Sequence, residues 1–591
     1  MEQKFTGRVW KLPDDVDTDT IIPGRYGVLP DAKAMSVHCM EPLRPELASN
    51  AKEGDVFVAG KNFGCGSSRE QAPACIAALG VKCIIAKSFA RIFYRNGINN
   101  GMLLIESGDI PDCCEDGDTI SVLVNENKVI INGKSFSFPS FPDNVDAIIR
   151  DGGLVNRYRK LNEEKEANLS KGHTLAEKIL MKNTGLSDLQ PGQLITPRPD
   201  MCMVHDIYTP FVVQQLDNMK FKELSDPDKA VIILDHLMPT NQATGDPRHY
   251  RAGIELSQRF GIKKLHIGEG ICHSLMHEKR YALPGTVVVA TDSHTPTYGG
   301  GGCFCTGIGF TEMAATLGSG ELWMKVPHAI KIVIEGKLPG GVYAKDIILK
   351  ILGDIKSDGG TGKSMEFTGS AVRDLSMQSR FTIANMALEA GVKSALFEAD
   401  KKTAEYFDMD LKEIDWIKID ENANYSQVLE YKAEDFAPQL SCPQGVDNVH
   451  PVDEVAGTLL NEVYIGSCTN GSIEDMKVAA DILKGKKIAK YLKLVIIPAT
   501  LNVYKEAIKL GYIRTFIEAG AMISHPCCGL CCGQPYGLMS DGEVVLGTNN
   551  RNFIGRMGTK KSLIYLSSPA VAAVSALKGY IADPREIQIE I

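Results

Sequence analysis

The segment His525-Pro-Cys-Cys-Gly-Leu-Cys-Cys-Gly-Gln534 holds two nested cysteine pairs, Cys528/Cys531 at Cys-x-x-Cys spacing and Cys527/Cys532 set wider. Thiolates so spaced can clamp one soft metal or a cluster from a tight turn that Gly529 permits. A zinc ribbon needs a second Cys-x-x-Cys, and the chain offers only lone Cys468 in Ile465-Gly-Ser-Cys-Thr-Asn-Gly471. Three thiolates leave a coordination position open, which a catalytic metal requires. On the residues alone three readings stand: a catalytic cluster, a structural metal, and unliganded core cysteines.

A second chemical segment is Asn62-Phe-Gly-Cys-Gly-Ser-Ser-Arg-Glu-Gln71, with two hydroxyls and a guanidinium after a strand-like run and ahead of a helical Ala/Ile/Leu run. Backbone amides at such a helix start favour an anion. Arg69 could grip a carboxylate through both nitrogens, and the Ser67 hydroxyl could act as a weak acid whose alkoxide is stabilised there. The plainer reading is a serine helix cap beside a surface arginine. A third set joins acids to imidazoles: Asp235-His236, His273, Asp292-Ser293-His294 and Asp19. A carboxylate beside an imidazole orients it and raises its pKa, keeping a proton available for a departing hydroxide.

Two other motifs fail. Ser357-Asp-Gly-Gly-Thr-Gly-Lys-Ser364 ends like a phosphate-binding loop, but Ser357 stands where the first Gly is required. The glycine run 299–302 makes no G-x-G-x-x-G, because Cys305 takes the last glycine's place.

The elements that must position these groups are legible in outline. Up to about Val155, β-branched runs such as Asp55–Ala59 and Val81–Ala86 are split by Gly and Pro, the pattern of a small α/β domain. From Arg157 to Glu166 seven of ten residues are charged, a solvated linker. Thr174-Leu-Ala-Glu177 then offers a capping box and opens a second, larger region. There the runs Ala230–Leu234, Thr286–Ala290 and Leu494–Ile497 alternate with amphipathic segments such as 309–317 and 383–390. That alternation predicts α/β layers with parallel sheets and functional loops at the strand ends.

The chain's 591 residues exceed what one core uses at about 100–200 residues per domain, so three or four domains are expected. Lys+Arg 64 against Asp+Glu 73 leaves a net charge of −9, which opposes nucleic acid or an anionic membrane as main partner. The opening Met1–Asp15 has no apolar core of signal-peptide length, so a cytoplasmic protein is expected. Its 16 cysteines are then read as reduced thiols, a few held for a metal.

Taken together, Gly64–Glu70, Lys87–Phe93, Asp235–Asn241, Thr291–Pro296, Ile465–Met476, Cys527–Gln534 and Asn549–Arg556 resemble the aconitase and 3-isopropylmalate dehydratase superfamily. The resemblance implies three α/β domains around a [4Fe–4S] cluster plus an N-terminal swivelling β/α domain. The swivel would be residues 1–156, the charged linker 157–171 and the cluster-binding region 172–591, a small subunit joined ahead of a large one, so that no separate small subunit is needed.

Motif by motif, the resemblance makes Cys468, Cys528 and Cys531 the cluster ligands. Ser67 matches the base that removes the carbon-bound proton, and Arg69, Ser68 and Ser293 match substrate contacts. His294 matches the acid that protonates the departing hydroxyl, paired with Asp19; Asp292 and His273 match a second such pair. Asp235, His236 and Glu389 match groups around the iron and its water. Arg551 and Arg556 match substrate carboxylate contacts, and Asn550 a cluster contact. His205 stands where aconitases carry Gln. The implied activity is a hydro-lyase that isomerises a hydroxy di- or tricarboxylate by dehydration and rehydration. In Tyr26-Gly-Val-Leu29, Val28 occupies the position where relatives accepting a third carboxylate carry Arg, although Arg25 lies three positions earlier. This ranks 3-isopropylmalate first, then citramalate or dimethylmalate, then homoaconitate or citrate. The rival from another class is an iron-sensing RNA-binding protein on the same scaffold, which the negative charge opposes.

Overall fold

Strands Val56–Ala59, Cys83–Ala86, Ala230–Leu234 and Val287–Ala290 are buried at every residue. Continuous burial of β-branched runs marks parallel sheets covered by helices on both faces. The computed structural model describes residues 4–27, 29–66, 70–166, 172–239, 247–533 and 536–587, in two compact units, Met1–Ser170 and Lys171–Ile591.

The first unit is built on one seven-stranded sheet. Its parallel half runs Leu103–Glu106, Cys83–Ala86, Val56–Ala59, Lys4–Lys11. An antiparallel meander of Thr119–Leu123, Lys128–Ile131 and Lys134–Ser137 continues from Lys4–Lys11. Asp17 caps the short helix Thr18–Ile21 by accepting from the Thr20 amide at 2.7 Å. The Thr18 amide donates to the Cys65 carbonyl at 2.9 Å, so the Asp-Thr-Asp-Thr segment lies against the residues just ahead of Ser67. The charged stretch from Arg157 continues the helix Leu154–Glu166, where Arg157 and Lys160 both pair with Asp151.

The second unit holds three main sheets. A five-stranded, wholly parallel sheet has the order Lys264–Ile267, Ala230–Leu234, Met201–His205, Val287–Ala290, Phe304–Gly307. The chain leaves Met201–His205 towards one edge and later returns on its other side, which opens a crevice at the carboxyl ends of the central strands. A four-stranded parallel sheet runs Ser394–Phe397, Ser364–Thr368, Ala329–Glu335, Gln427–Lys432. The third, seven-stranded sheet has Glu462–Ile465 between Lys493–Ile496 and Val544–Gly547, all parallel. The helix Leu175–Thr184 starts with the capping box expected of Thr174 and Glu177. Among the described residues no helix is long and apolar enough to cross a membrane.

Candidate active site

Three strand ends of the five-stranded sheet deliver the acid–imidazole residues. His205 ends Met201–His205, Asp235-His236 follows Ala230–Leu234, and Asp292-Ser293-His294 follows Val287–Ala290. Asp292 is their hub. Its Oδ1 lies 2.7 Å from His273 Nε2 and accepts from the His294 amide at 2.8 Å, while Oδ2 lies 3.5 Å from His236 Nε2. Burial opposes ionisation of Asp292, but His273, His236 and His294 together hold it well below the usual carboxylate range. Asp235 Oδ1 meets His236 Nδ1 at 2.9 Å and its Oδ2 takes the Cys272 amide at 2.8 Å. Burial pulls His236 down, and Asp235 with Asp292 outweigh it, raising the imidazole well above its ordinary value. His273, equally buried, is lowered by that burial despite Asp292; its Nδ1 meets the Tyr298 hydroxyl at 3.1 Å.

Glu389 closes the other side. Its Oε1 meets both His294 Nε2 at 2.8 Å and Arg551 Nε at 2.9 Å. Burial and Arg551 work against protonation of His294, but its bonds to Asp292 and Glu389 raise its pKa. Burial likewise opposes the Glu389 charge, and His294 and Arg551 hold that carboxyl low. Ser293 Oγ lies 3.4 Å from His294 Nδ1.

The thiols come from the third sheet. Gly466, at φ +153°, turns the chain sharply after Glu462–Ile465, where an added Cβ would fall 2.6 Å from the Ile497 carbonyl. Cys468 follows in the short helix Ser467–Asn470. Cys528 and Cys531 flank the turn that begins at Gly529, φ +55°. Asn550 spans the pocket: its Nδ2 donates to Cys468 Sγ at 3.4 Å and its Oδ1 lies 3.3 Å from Cys531 Sγ. Asn385 Nδ2 donates to Cys468 Sγ at 3.2 Å. Burial pushes the Cys468 thiol up to about 12. The neighbouring Cys528 thiol pulls Cys531 down to about 5, with Arg556 assisting; Arg556 Nε also donates to the Cys531 carbonyl at 2.7 Å. Two buried thiols and a half-buried one, amide N–H groups aimed at one sulfur and a guanidinium beside another form a donor set that fits an iron–sulfur cluster. All 16 cysteines are free thiols.

A cleft of about 590 Å³ opens beside these groups, lined by His205, His236, Asp292, Ser293, Cys532, Arg551 and Arg556 among others. The two arginines and the raised imidazole of His236 in this lining can bind carboxylates and lend a proton. The residues named from sequence in this unit therefore converge: Asp235, His236, His273, Asp292, Ser293, His294, Glu389, Asn550, Arg551, Arg556 and the three cysteines. Val28, Ser67, Ser68 and Arg69 lie outside the described residues. Asp19 belongs to the first unit, on Thr18–Ile21. In that unit Arg25 is already engaged: its Nη2 lies 3.2 Å from Glu41 Oε1 and its guanidinium sits 4.7 Å above the Tyr26 ring. Sequence reading gave no role to Asn385, although it precedes Glu389 by one helical turn, nor to Asp206 or Tyr298. Asp206 accepts from the His236 and Leu237 amides at 3.2 and 2.7 Å, and an acid directly after His205 was its signal; Tyr298 had none.

Comparison with known proteins shows the family. The model of the aconitase family (aconitate hydratase) matches residues 177–459 and 451–579, and that of the aconitase C-terminal domain matches residues 44–109. The chain belongs to the aconitase family, and carries the segment matching that C-terminal domain ahead of the main region. The 3-isopropylmalate dehydratase large subunit of Caldicellulosiruptor bescii is 44% identical over 423 residues, 71% of this chain and 98% of the relative. A probable 3-isopropylmalate dehydratase large subunit of Methanosarcina mazei is 42% identical over 421 residues, 70% of this chain and all of the relative. A solved 3-isopropylmalate dehydratase of Methanocaldococcus jannaschii is 43% identical, covering 28% of this chain and 99% of its own, with a TM-score of 0.26.

Proposed function

We propose that this chain is a cytoplasmic hydro-lyase that isomerises 3-isopropylmalate by dehydration and rehydration. The observation that carries the reading is Glu389, whose one carboxylate holds a proton-bearing imidazole and an anion-binding guanidinium at the cleft, in the same unit as the three-thiol pocket. The names of the relatives support the substrate. Cys468, Cys528 and Cys531 would hold a [4Fe–4S] cluster, with Asn550 and Asn385 donating to sulfur. When bound, such a cluster supplies an iron free of protein thiolate, a Lewis acid for the substrate hydroxyl and one carboxylate.

The chain's own residues do the rest. His294, kept protonated by Asp292 and Glu389, gives its proton to the departing hydroxyl oxygen, and the pairing of this residue with Asp19 is part of the proposal. Ser67 removes the carbon-bound proton, with Arg69, Ser68 and Ser293 on the substrate. Arg551 and Arg556 take carboxylates, while Asp235 and His236 orient the groups around the water that is lost and regained. Residues 1–156 would act as the swivel and 157–171 as the linker, which makes a separate small subunit unnecessary.

Specificity rests on Val28. An alkyl group gains about 0.8 kcal/mol per buried methylene, whereas a third carboxylate without a partner costs several kcal/mol. The ion pair between Arg25 and Glu41 supports this choice, because the nearest cation in sequence already has an acid partner. The test is an anaerobic assay of isopropylmalate, citramalate, citrate and homoaconitate on the cluster-loaded chain. Alkylmalates should exceed tricarboxylates in kcat/KM by at least about 10²-fold, since a missing charge partner is penalised more than a missing methylene. Val28→Arg should narrow or invert that ratio. A parent enzyme that prefers citrate would overturn the substrate assignment.

A further inference from the structure

Lys345 is a fully buried lysine in the first turn of the helix Ala344–Ile355. Its Nζ donates to the carbonyls of Thr548 at 2.8 Å and Asn549 at 2.6 Å, and reaches Asn470 Oδ1 at 3.4 Å. These acceptors belong to the two loops that face each other across the thiol pocket. Asn470 lies two residues beyond Cys468, and Thr548-Asn549 lead directly into Asn550. The same loops are joined a second time, because Thr548 Oγ1 accepts from the Gly466 amide at 2.9 Å and lies 3.1 Å from the Gly466 carbonyl oxygen.

The charge of Lys345 is harder to account for than its hydrogen bonds. No carboxylate among the described residues forms an ion pair with it. Asp475 is separated from it by Asn470, whose Nδ2 donates to Asp475 Oδ1 at 3.0 Å. A buried ammonium is costly unless a negative charge compensates it. Carbonyl dipoles solvate the group, and the buried acids Asp475 and Asp346 act on its charge through space without pairing with it. Burial draws its pKa down to about 7, and the groups that oppose the fall most are Cys531 and Cys468. An apolar side chain of similar length would fill the slot at lower cost if packing were the only task.

We propose that Lys345 is a positioning residue of the thiol pocket: its ammonium ties the Cys468 loop to the Asn550 loop and is the fixed counter-charge for the anionic, thiolate-held group between them. This rests on the reading that Cys468, Cys528 and Cys531 hold an iron–sulfur cluster. A cation fixed near the cluster favours the form carrying the extra electron, and a loop clamp slows loss of the ligands.

The test compares the full-length parent with Lys345→Met, Lys345→Gln and Lys345→Arg, each reconstituted anaerobically with iron and sulfide. The readouts are iron and sulfide content, iron release to a chelator, and the cluster midpoint potential followed by electron paramagnetic resonance. Lys345→Met and Lys345→Gln should lower the reduced-to-oxidised ratio at fixed poise about tenfold, equal to 59 mV for a one-electron couple. Iron affinity should fall about 10–100-fold, the usual cost of losing a group that supports metal ligands. Lys345→Arg should keep the parental potential. If Lys345→Met fails to fold, the Gln and Arg variants decide the matter, with far-UV circular dichroism reporting their fold. A folded, loaded Lys345→Gln with parental potential and iron release overturns the lysine's role, as does a Lys345→Arg shifted as far as the Gln variant. A parent that takes up no iron overturns the cluster reading and this proposal together.

Discussion

Glu389→Gln isolates the electrostatic support of the proposed acid with almost no change of shape. The Oε1 atom of Glu389 lies 2.8 Å from His294 Nε2 and 2.9 Å from Arg551 Nε, and the residue is buried. The substitution keeps an oxygen for either partner and removes the charge. A hydrogen bond to a charged partner contributes about 1.5–3 kcal/mol net. Losing that contribution lowers the His294 pKa, since Glu389 is one of the groups that raise it. Arg551 acts in the same direction, because it already works against protonation of His294 and would lose its neutralising partner.

The sign follows from the direction of the shift. The folded-state pKa of His294 is raised, so the acid is protonated below that value and activity declines as the pH rises through it. Glu389→Gln should therefore move the alkaline limb of kcat/KM towards acid. Activity below the ordinary imidazole range should be affected much less. The assay is a pH profile of the cluster-loaded parent and variant, with iron content measured alongside so that a change in loading is not mistaken for a change in titration. An alkaline limb that stays in place while iron content is unchanged would refute the assignment of His294 as the acid supported by Glu389.

Replacing Cys468, Cys528 or Cys531 by Ser should each abolish bound iron and visible absorbance, while Cys527→Ser and Cys532→Ser retain both; a Cys528→Ser protein that keeps its iron while Cys527→Ser loses it would show that the wrong pair was chosen. Glu366 is fully buried and accepts from the Leu175 and Ala176 amides at 3.0 Å each and from the Tyr425 hydroxyl at 2.6 Å. Glu366→Ala leaves two buried helix-start donors unpaired at about 1–3 kcal/mol each. Amide exchange at Leu175 and Ala176 should accelerate and the denaturant midpoint of the second unit should fall; unchanged exchange at those two amides would show that the helix start does not depend on this carboxylate.

Local chemistry made much of this protein readable from its sequence. Thr174 and Glu177 form a capping box whatever surrounds them, because both halves of the motif lie within one turn. Ala230–Leu234 and Val287–Ala290 were legible as buried strands, since β-branched runs of that length suit a sheet covered on both faces. Cys528 and Cys531 announce themselves by spacing, and acid–imidazole neighbours such as Asp235-His236 by adjacency. What the tertiary structure alone decided is which distant partner each group meets. Nothing in sequence ties Glu389 to His294 and Arg551, 95 and 162 residues away, or Asn385 to Cys468, 83 residues away. Lys345 carries no motif at all, and its significance follows only from being folded against carbonyls some 200 residues further along the chain. The physical reason is one of range. Caps, strands and metal-binding spacings are set by a few consecutive residues, whereas the pKa of an imidazole and the surroundings of a buried ammonium depend on charges that parallel sheets bring together from strand ends scattered along the chain.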